Sequence, residues 1–351
     1  MENMVVQGFV LLDVDVVALN NAGKSTNTLN DNGVATKTII KNGRRYVYVS
    51  GQAWRYWWRE ALQKNQAWKL SPITREAKIA FTNANPIEFA DDDMFGYMRA
   101  ATEKIKDEKG KEKSMNITVT RTSPLKNSAI VSVASTFPVE NWSSMSRQEG
   151  EAVPYFKQEY SAIMKGMFSL DANMVGTFSN YNRTGYMNLS QKLREEAISK
   201  GAIEIEDPFV EKQKLIRLPK EVREKRIIDT IQALKYISGG AMQTNNMGDV
   251  TPKFIILATT NTGNHPFSHV AKSKGDRDDV ACLDIEGIRE VLNEYRDTFI
   301  GKVFIGKRTG FMDDHSDSLK ALANEYEGLV IYGAVNEMID AYCAQVQTQL
   351  S

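Results

Sequence analysis

Histidine and cysteine are scarce in this chain, three and two among 351 residues. That removes most of the raw material for a metal site or a nucleophilic triad. Cys282 and Cys343 are far apart and fit neither a zinc-ligand spacing nor a disulfide framework. Free thiols of this kind point to the cytoplasm. His265 and His269 stand four apart, a ligand spacing on a helix. Pro266 lies between them in NTGNHPF, so the spacing does not imply one helical face. With His315 they read as loop histidines. G-x-S-x-G and H-E-x-x-H are both missing. No cofactor, metal or catalytic group is expected.

Long apolar runs are missing too. No stretch of about 18 apolar residues occurs, so no transmembrane helix and no membrane partner are expected. The opening MENMVVQGFVLLDVDVV lacks a basic n-region and carries Asp13 and Asp15 inside its apolar run, which suits a strand rather than a signal peptide. Net charge is absent as well: 44 basic residues balance 44 acidic ones. A generic nucleic-acid binder is basic overall. This chain would have to hold a polyanion through a local stripe. The acidic runs, among them Asp91 to Asp93, read as solvated faces.

The most informative stretch present is GRRYVYVSGQAWRYWWREAL, Gly43 to Leu62. Tyr46 and Tyr48 alternate with Val47 and Val49, the period of a half-buried strand. Ser50 is a good N-cap, and Gly51 permits close approach of a backbone or phosphate. Trp54, Trp57, Trp58, Ala61 and Leu62 then recur on one helical face. Gln52, Arg55 and Arg59 fall on another, near the positive end of the helix. Two arginines and an amide there suit a phosphate backbone.

With the preceding loop, the order is LNN, a lone lysine, a GRR hairpin, then SGQAWRYWWR. That order resembles the guide-RNA-binding backbone (repeat) subunit of the CRISPR type I effector complex, Cascade. The DevR-like form of type I-B systems is the subfamily it is most similar to. Relatives carry an LNR-like loop, a lysine, a glycine-containing turn and a strand ending in S-S-Q-x-x-K-R-x-x-R. Ser50 and Gln52 match, Arg55 stands for the lysine, and Arg59 matches the last arginine. Asn21 departs from the loop arginine, and Tyr56 stands where relatives often have another cation.

The resemblance implies a single α+β, RRM-like (ferredoxin-like) palm over residues 1–351, interrupted by insertions. A finger-like insertion is expected over 63–115, a thumb-like hairpin over 134–160, and a second charged insertion over 180–226. Implied RNA contacts are Asn20, Asn21, Lys24, Lys37, Ser50, Gln52, Arg55 and Arg59. Arg121 and Lys126 flank the bend TRTSPLKNS, and Gly239, Gly240 and Gln243 form a small-residue loop beside the RNA. Phe137, Trp142 and Met145 of the thumb would displace bases. Implied partners are guide RNA, target DNA, further copies of the chain head-to-tail, and other Cascade subunits: an RNA-end capping subunit and the large and small subunits. The role is non-catalytic.

Two other functions have sequence support. Relatives in type III complexes cut RNA with an aspartate in the loop after strand one, where Asp31 lies here. The segment ALNNAGKST fits the end of a P-loop at Gly23, Lys24 and Ser25, but Ala18 replaces its first glycine and TNTLNDNG is not a helix start. A regulatory role would fit the DevR name, yet no helix-turn-helix signal supports it.

The remaining pattern predicts a strand over Gly8–Leu19 and a polar loop over Asn20–Lys37. A strand pair is expected over Ser161–Ser179. A core helix should span Ile227–Ile237 and end at Gly239–Gly240. Further expectations are a strand over Lys253–Thr259, a short strand over Gly301–Gly306, and helices over Asp284–Arg296 and Gly328–Gln349.

Overall fold

The computed structural model describes residues 3–24, 34–76, 79–106, 112–145, 149–151, 153–182, 187–274 and 280–350. The chain opens with β1 (Val5–Val17), β2 (Asn21–Lys24) and β3 (Val34–Thr36). A hairpin of β4 (Thr38–Lys41) and β5 (Arg44–Val49) feeds α1 (Gly51–Asn65). The span from 63 to 115 holds β6 (Thr74–Glu76), β7 (Ile79–Phe81) and α2 (Ala90–Phe95), and most of the long hairpin β8 (Tyr97–Lys106) and β9 (Glu112–Arg121). Next come β10 (Leu125–Asn127), β11 (Ile130–Ser132), β12 (Val139–Met145) and β13 (Val153–Asp171). A small unit comes after them: β14 (Thr177–Ser179), α3 (Gln191–Ser199), β15 (Ile203–Glu206) and β16 (Lys214–Arg217), then α4 (Lys220–Gln232) and the single turn α5 (Gln243–Asn246). The C-terminal part is β17 (Phe254–Thr260), β18 (Ala271–Lys274), β19 (Val280–Leu283), α6 (Ile285–Glu294), β20 (Val303–Lys307), α7 (Ser316–Glu325), β21 (Val330–Gly333) and α8 (Val335–Gln349).

The class is α+β, as expected. A 12-stranded sheet is ordered β21-β20-β17-β1-β13-β11-β5-β4 along its main path. β1 lies at its centre, antiparallel to both β13 and β17. Side chains alternate along β1, so Val6, Val10, Leu12 and Val14 enter one core while Phe9 and Leu11 enter another. The first core is closed by α1, α4 and α8, the second by α6, α7 and the β18–β19 hairpin.

The tryptophan face of α1 is buried as its period predicts. Trp54 stacks on Trp58 with ring centroids 5.4 Å apart, and Phe168 of β13 meets Trp58 edge-on at 5.1 Å. The indole N–H of Trp58 donates to the Thr230 carbonyl at 2.8 Å, so even its polar atom is satisfied. Gly8 faces Phe168, whose ring lies 2.1 Å from where a Cβ would stand, and Gly166 leaves room for Trp54. Truncating such a buried tryptophan to alanine costs about 3–5 kcal/mol.

Several boundaries differ from the sequence pattern. The strand pair expected over Ser161–Ser179 is instead the end of the 19-residue β13, a turn, and β14, which belongs to a separate three-stranded sheet. The core helix begins at Lys220, seven residues before its apolar period becomes clear, because buried Arg223 and Arg226 occupy inward positions. The segment Gly328–Gln349 starts as β21, paired parallel to β20, and becomes helix only at Val335. Helix α7, which buries Leu319 and Leu322, had no sequence expectation. The polar loop after β1 contains β2 and β3, which pair with each other. Among the described residues, no helix is long and apolar enough to cross a membrane.

Candidate nucleic-acid interface

The N-terminus of α1 is built by residues from three places. Ser50 caps it, its hydroxyl accepting from the Ala53 N–H at 3.3 Å. The Ser50 N–H in turn donates to Asn20 Oδ1 at 2.9 Å, and the Asn20 carbonyl accepts from the Lys37 N–H at 2.9 Å. Asn20 and Lys37 therefore hold the loop after β1 against the start of the helix. From the far side, Asn127 Nδ2 donates to the Gly51 carbonyl at 3.1 Å. A Cβ on Gly51 would lie 3.2 Å from that amide, so the glycine allows the approach.

These pieces frame a groove of about 510 Å³ lined by Gln52, Arg55, Thr122, Ser123, Lys126 and Asn127, among others. Gln52, Thr122 and Lys126 are exposed. Thr122, Ser123 and Asn127 had no sequence signal, because they reach the helix only through the bend that β10 makes toward β13.

The arginines are placed otherwise than the sequence pattern suggested. Arg55 donates to the carbonyls of Leu125 (2.8 Å) and Phe95 (2.7 Å), to Asn127 Oδ1 (3.0 Å) and to Ser123 Oγ (2.9 Å). Its guanidinium also lies 5.0 Å from the Phe95 ring centroid. Burial, and then the charge of Arg59, lower its pKa to about 10. Arg55 is thus a staple that fixes the groove wall. Arg59 is paired with Asp91 at 3.2 Å and keeps about a quarter of its side chain exposed.

Arg121 is buried rather than turned to the surface. It binds Asp93 at 2.6 Å and donates further to the carbonyls of Thr177 (2.8 Å) and Met174 (2.5 Å). Arg226 of α4 reaches the other oxygen of Asp93 at 2.7 Å. Asp91 accepts from the Ser71 N–H at 2.9 Å, and Asp92 from the Asn85 N–H at 2.9 Å. The run Asp91 to Asp93 is therefore not a solvated face. It is an interior knot in the first turn of α2, where the helix dipole favours carboxylates. Burial raises the Asp91 pKa above the usual carboxylate range.

The small-residue loop docks on the end of β1. Gly239 lies under Trp57, with a ring carbon 2.2 Å from a would-be Cβ, and Gly240 has φ +111° against Leu19. Gln243 turns inward, its amide donating to the carbonyls of Gly239 and Gly248. These three serve packing and loop closure in this structure.

Asn21 and Lys24 lie on β2, paired with Thr36 and Val34 of β3. A P-loop needs a helix N-terminus directly after its lysine. Residues 25–33, where such a helix would begin, lie outside the described residues. Ser25 and Asp31 lie outside the described residues. His265 is tied to the Gly8 carbonyl at 2.9 Å, and burial lowers its pKa. Among the described residues, no cluster of histidine, cysteine and carboxylates could hold a metal ion.

The segment 134–160 forms a hairpin of β12 with the first half of β13, in register from Val139–Glu159 to Met145–Val153. Phe137 and Trp142 are 66% and 65% exposed, too open for core residues. Trp142 leans on Phe156 at 5.7 Å, and Arg45 approaches the Phe137 ring at 5.9 Å. Met145 closes the described part of β12. The base of this arm is locked by buried Glu159, which binds Lys157 (2.6 Å), Asn141 (2.9 Å) and Asn246 of α5 (2.9 Å). Burial works to raise the Glu159 pKa, but those donors outweigh it and hold it below the usual range.

A sheet with helices on both faces, an arm of two strands and a groove at a helix N-terminus is an architecture seen before. A chain of a solved "CRISPR RNA-guided surveillance complex" superposes with a TM-score of 0.54 at 12% identity, covering 97% of this chain and 99% of that one. A chain of a "CRISPR RNA-guided surveillance complex, pre-nicking" gives 0.49 at 11% identity, with the same coverage of 97% and 99%. No curated protein matches the sequence. The family model "CRISPR-associated negative auto-regulator DevR/Csa2" matches residues 10–279, and the chain belongs to that family.

Proposed function

We propose that this chain is the guide-RNA-holding repeat subunit of a type I CRISPR surveillance complex, and that it supports target DNA recognition without cutting. The observation that carries this is the groove at the α1 N-terminus. A capped helix end, exposed Gln52 and exposed Lys126 face one channel whose walls are fixed by Arg55 and Asn127. Such a channel offers N–H groups and one exposed cation to a phosphate backbone, and reads no base edge. Sequence would then be read by pairing with the guide, as in other RNA-guided complexes. Asn21, Lys24 and Lys37 continue the path on the β2–β4 side.

On this reading Arg59 contributes through its exposed quarter, and Arg55, Arg121, Gly239, Gly240 and Gln243 act by positioning. The arm of β12 and β13 is the thumb, and Phe137, Trp142 and Met145 are its base-displacing candidates. Apolar side chains held on a polar arm suit stacking against a nucleobase. Copies would associate head-to-tail, a heterologous contact that makes an open filament. A capping subunit and the large and small subunits would complete the assembly in the cytoplasm.

Purification tests the reading directly. Expressed with a guide-RNA locus, the protein should carry RNase-sensitive RNA of uniform length. Gln52→Ala with Lys126→Ala should lose that RNA while keeping the wild-type circular dichroism spectrum. Nucleic acid of random length, or full retention in the double variant, would refute the groove's role.

A further inference from the structure

The polar side chains of the α1 groove fall into two sets. Ser123 and Asn127 are spent on the wall. The Ser123 hydroxyl donates to the Met94 carbonyl at 2.7 Å and accepts from Arg55 at 2.9 Å. The Asn127 amide donates to the Gly51 and Ser128 carbonyls, both at 3.1 Å, and accepts from Arg55 at 3.0 Å. Gln52, Thr122 and Lys126 line the same groove and are exposed. Among the described residues, none forms a hydrogen bond or ion pair with these three side chains. The groove therefore holds ready one carboxamide, one hydroxyl and one ammonium.

Arg55 fixes how they face each other. Gln52 lies three residues before it on α1, on the same side of the helix. Across the groove, the Arg55 guanidinium binds Ser123, which follows Thr122, and the carbonyl of Leu125, which precedes Lys126. Gln52 thus stands on the helix wall, and Thr122 and Lys126 on the strand wall, with Arg55 tying the two together.

Donor and acceptor chemistry separates their tasks. A phosphodiester accepts hydrogen bonds and donates none. The Lys126 ammonium and the free N–H groups of a helix N-terminus only donate, so they answer it in full. The Gln52 carboxamide and the Thr122 hydroxyl each carry an acceptor beside their donor. A phosphate uses only their donors. The ribose 2′-hydroxyl donates and accepts, so it uses both, and deoxyribose lacks it.

We propose that Thr122, with Gln52 across the groove, reads the sugar: the pair hydrogen-bonds a ribose 2′-hydroxyl and makes the groove prefer RNA to DNA of the same sequence. This rests on the α1 groove being the guide's channel. Phosphate contacts alone are indifferent to the sugar, and a subunit that meets a guide RNA and a target DNA needs such a choice to keep each strand in its place.

The test uses the full chain freed of copurified RNA and three fluorescently labelled uridine oligonucleotides, with ribose, 2′-deoxyribose and 2′-fluoro sugars. The base is the same in all three, and the fluoro sugar keeps the ribose pucker without the hydroxyl donor. By fluorescence anisotropy the ribo strand should bind about three- to tenfold more tightly than the deoxy strand, the worth of one neutral hydrogen bond. The fluoro strand should bind like the deoxy strand. Thr122→Val removes the hydroxyl, keeps the shape and should close most of the gap, whereas Thr122→Ser should keep it. Gln52→Leu gives a second reading of the gap should the valine variant misfold. Lys126→Ala should weaken all three strands alike and leave their ratio in place. Equal wild-type binding of the ribo and deoxy strands overturns the sugar reader while leaving the groove's RNA role intact. So does ribo-like binding of the fluoro strand, which would assign the preference to sugar pucker. An unchanged ratio in folded Thr122→Val overturns it as well. Binding of none of the three strands removes the groove's RNA role and the sugar reader together.

Discussion

The α1 groove and the α2 knot use the same residue types in opposite ways. In the groove, Gln52 and Lys126 point outward from walls stapled by Arg55. In the knot, Arg121 and Arg226 converge on Asp93 with side chains at most 6% exposed. One region leaves its polar groups exposed, and the other has consumed them internally. The difference is a matter of partners: a buried arginine needs a carboxylate and carbonyls around it, whereas an exposed lysine is satisfied by water. An arginine near the proposed RNA path is therefore not by itself an RNA contact.

The strongest way to break this contrast is at the knot. Asp93→Ala leaves Arg121 and Arg226 buried without their shared carboxylate, and should cost about 3–5 kcal/mol in chemical denaturation. A loss under about 1 kcal/mol would mean that water readily replaces the carboxylate. Arg55→Ala comes next. A single hydrogen bond from a charged group contributes about 1.5–3 kcal/mol, and removal of its four together should cost at least that much. RNA bound at saturation should keep an unchanged salt slope, because this side chain faces the wall and not the ligand. A lower slope would return Arg55 to the phosphate contacts. Lys126→Ala should do the reverse, leaving the melting temperature alone and lowering the slope of log affinity against log salt by about 0.7.

The smallest effect concerns the arm. Glu159 has a lowered pKa in the folded protein, so its ionised form contributes stability above the unfolded pKa. That contribution is lost as pH falls through the lowered folded value. Hydrogen exchange in β12 should accelerate in that acidic window, and Glu159→Gln should show the faster exchange already at neutral pH. Equal protection in both proteins at neutral pH would show that β12 pairing alone holds the arm.

What was legible in the sequence was local. The alternation before Ser50 and the helical tryptophan period after it need no distant partner, and both elements stand where the pattern puts them. Ser50 as the helix cap and Gln52 off the tryptophan face were legible for the same reason. The fates of Arg121 and of Asp91 to Asp93 were not, because they depend on a partner 28 residues away in one case and 133 in the other. A run of carboxylates has the same appearance whether water or arginine answers it. Helix α4 hid its first turns behind Arg223 and Arg226, charged residues at core positions. Strand β21 was merged with the helix after it because four residues are too few for a period to show.

One further consequence belongs to β13. The same unbroken strand pairs with β12 in the arm and with β1 in the centre of the sheet, and places Gly166 and Phe168 beneath the indoles of α1. In mechanical terms the arm is a cantilever and the tryptophan core is its clamp. A load on the tip becomes a bending moment at the clamp, under the helix whose first turn frames the groove. Whatever grips the arm thereby also leans on the groove.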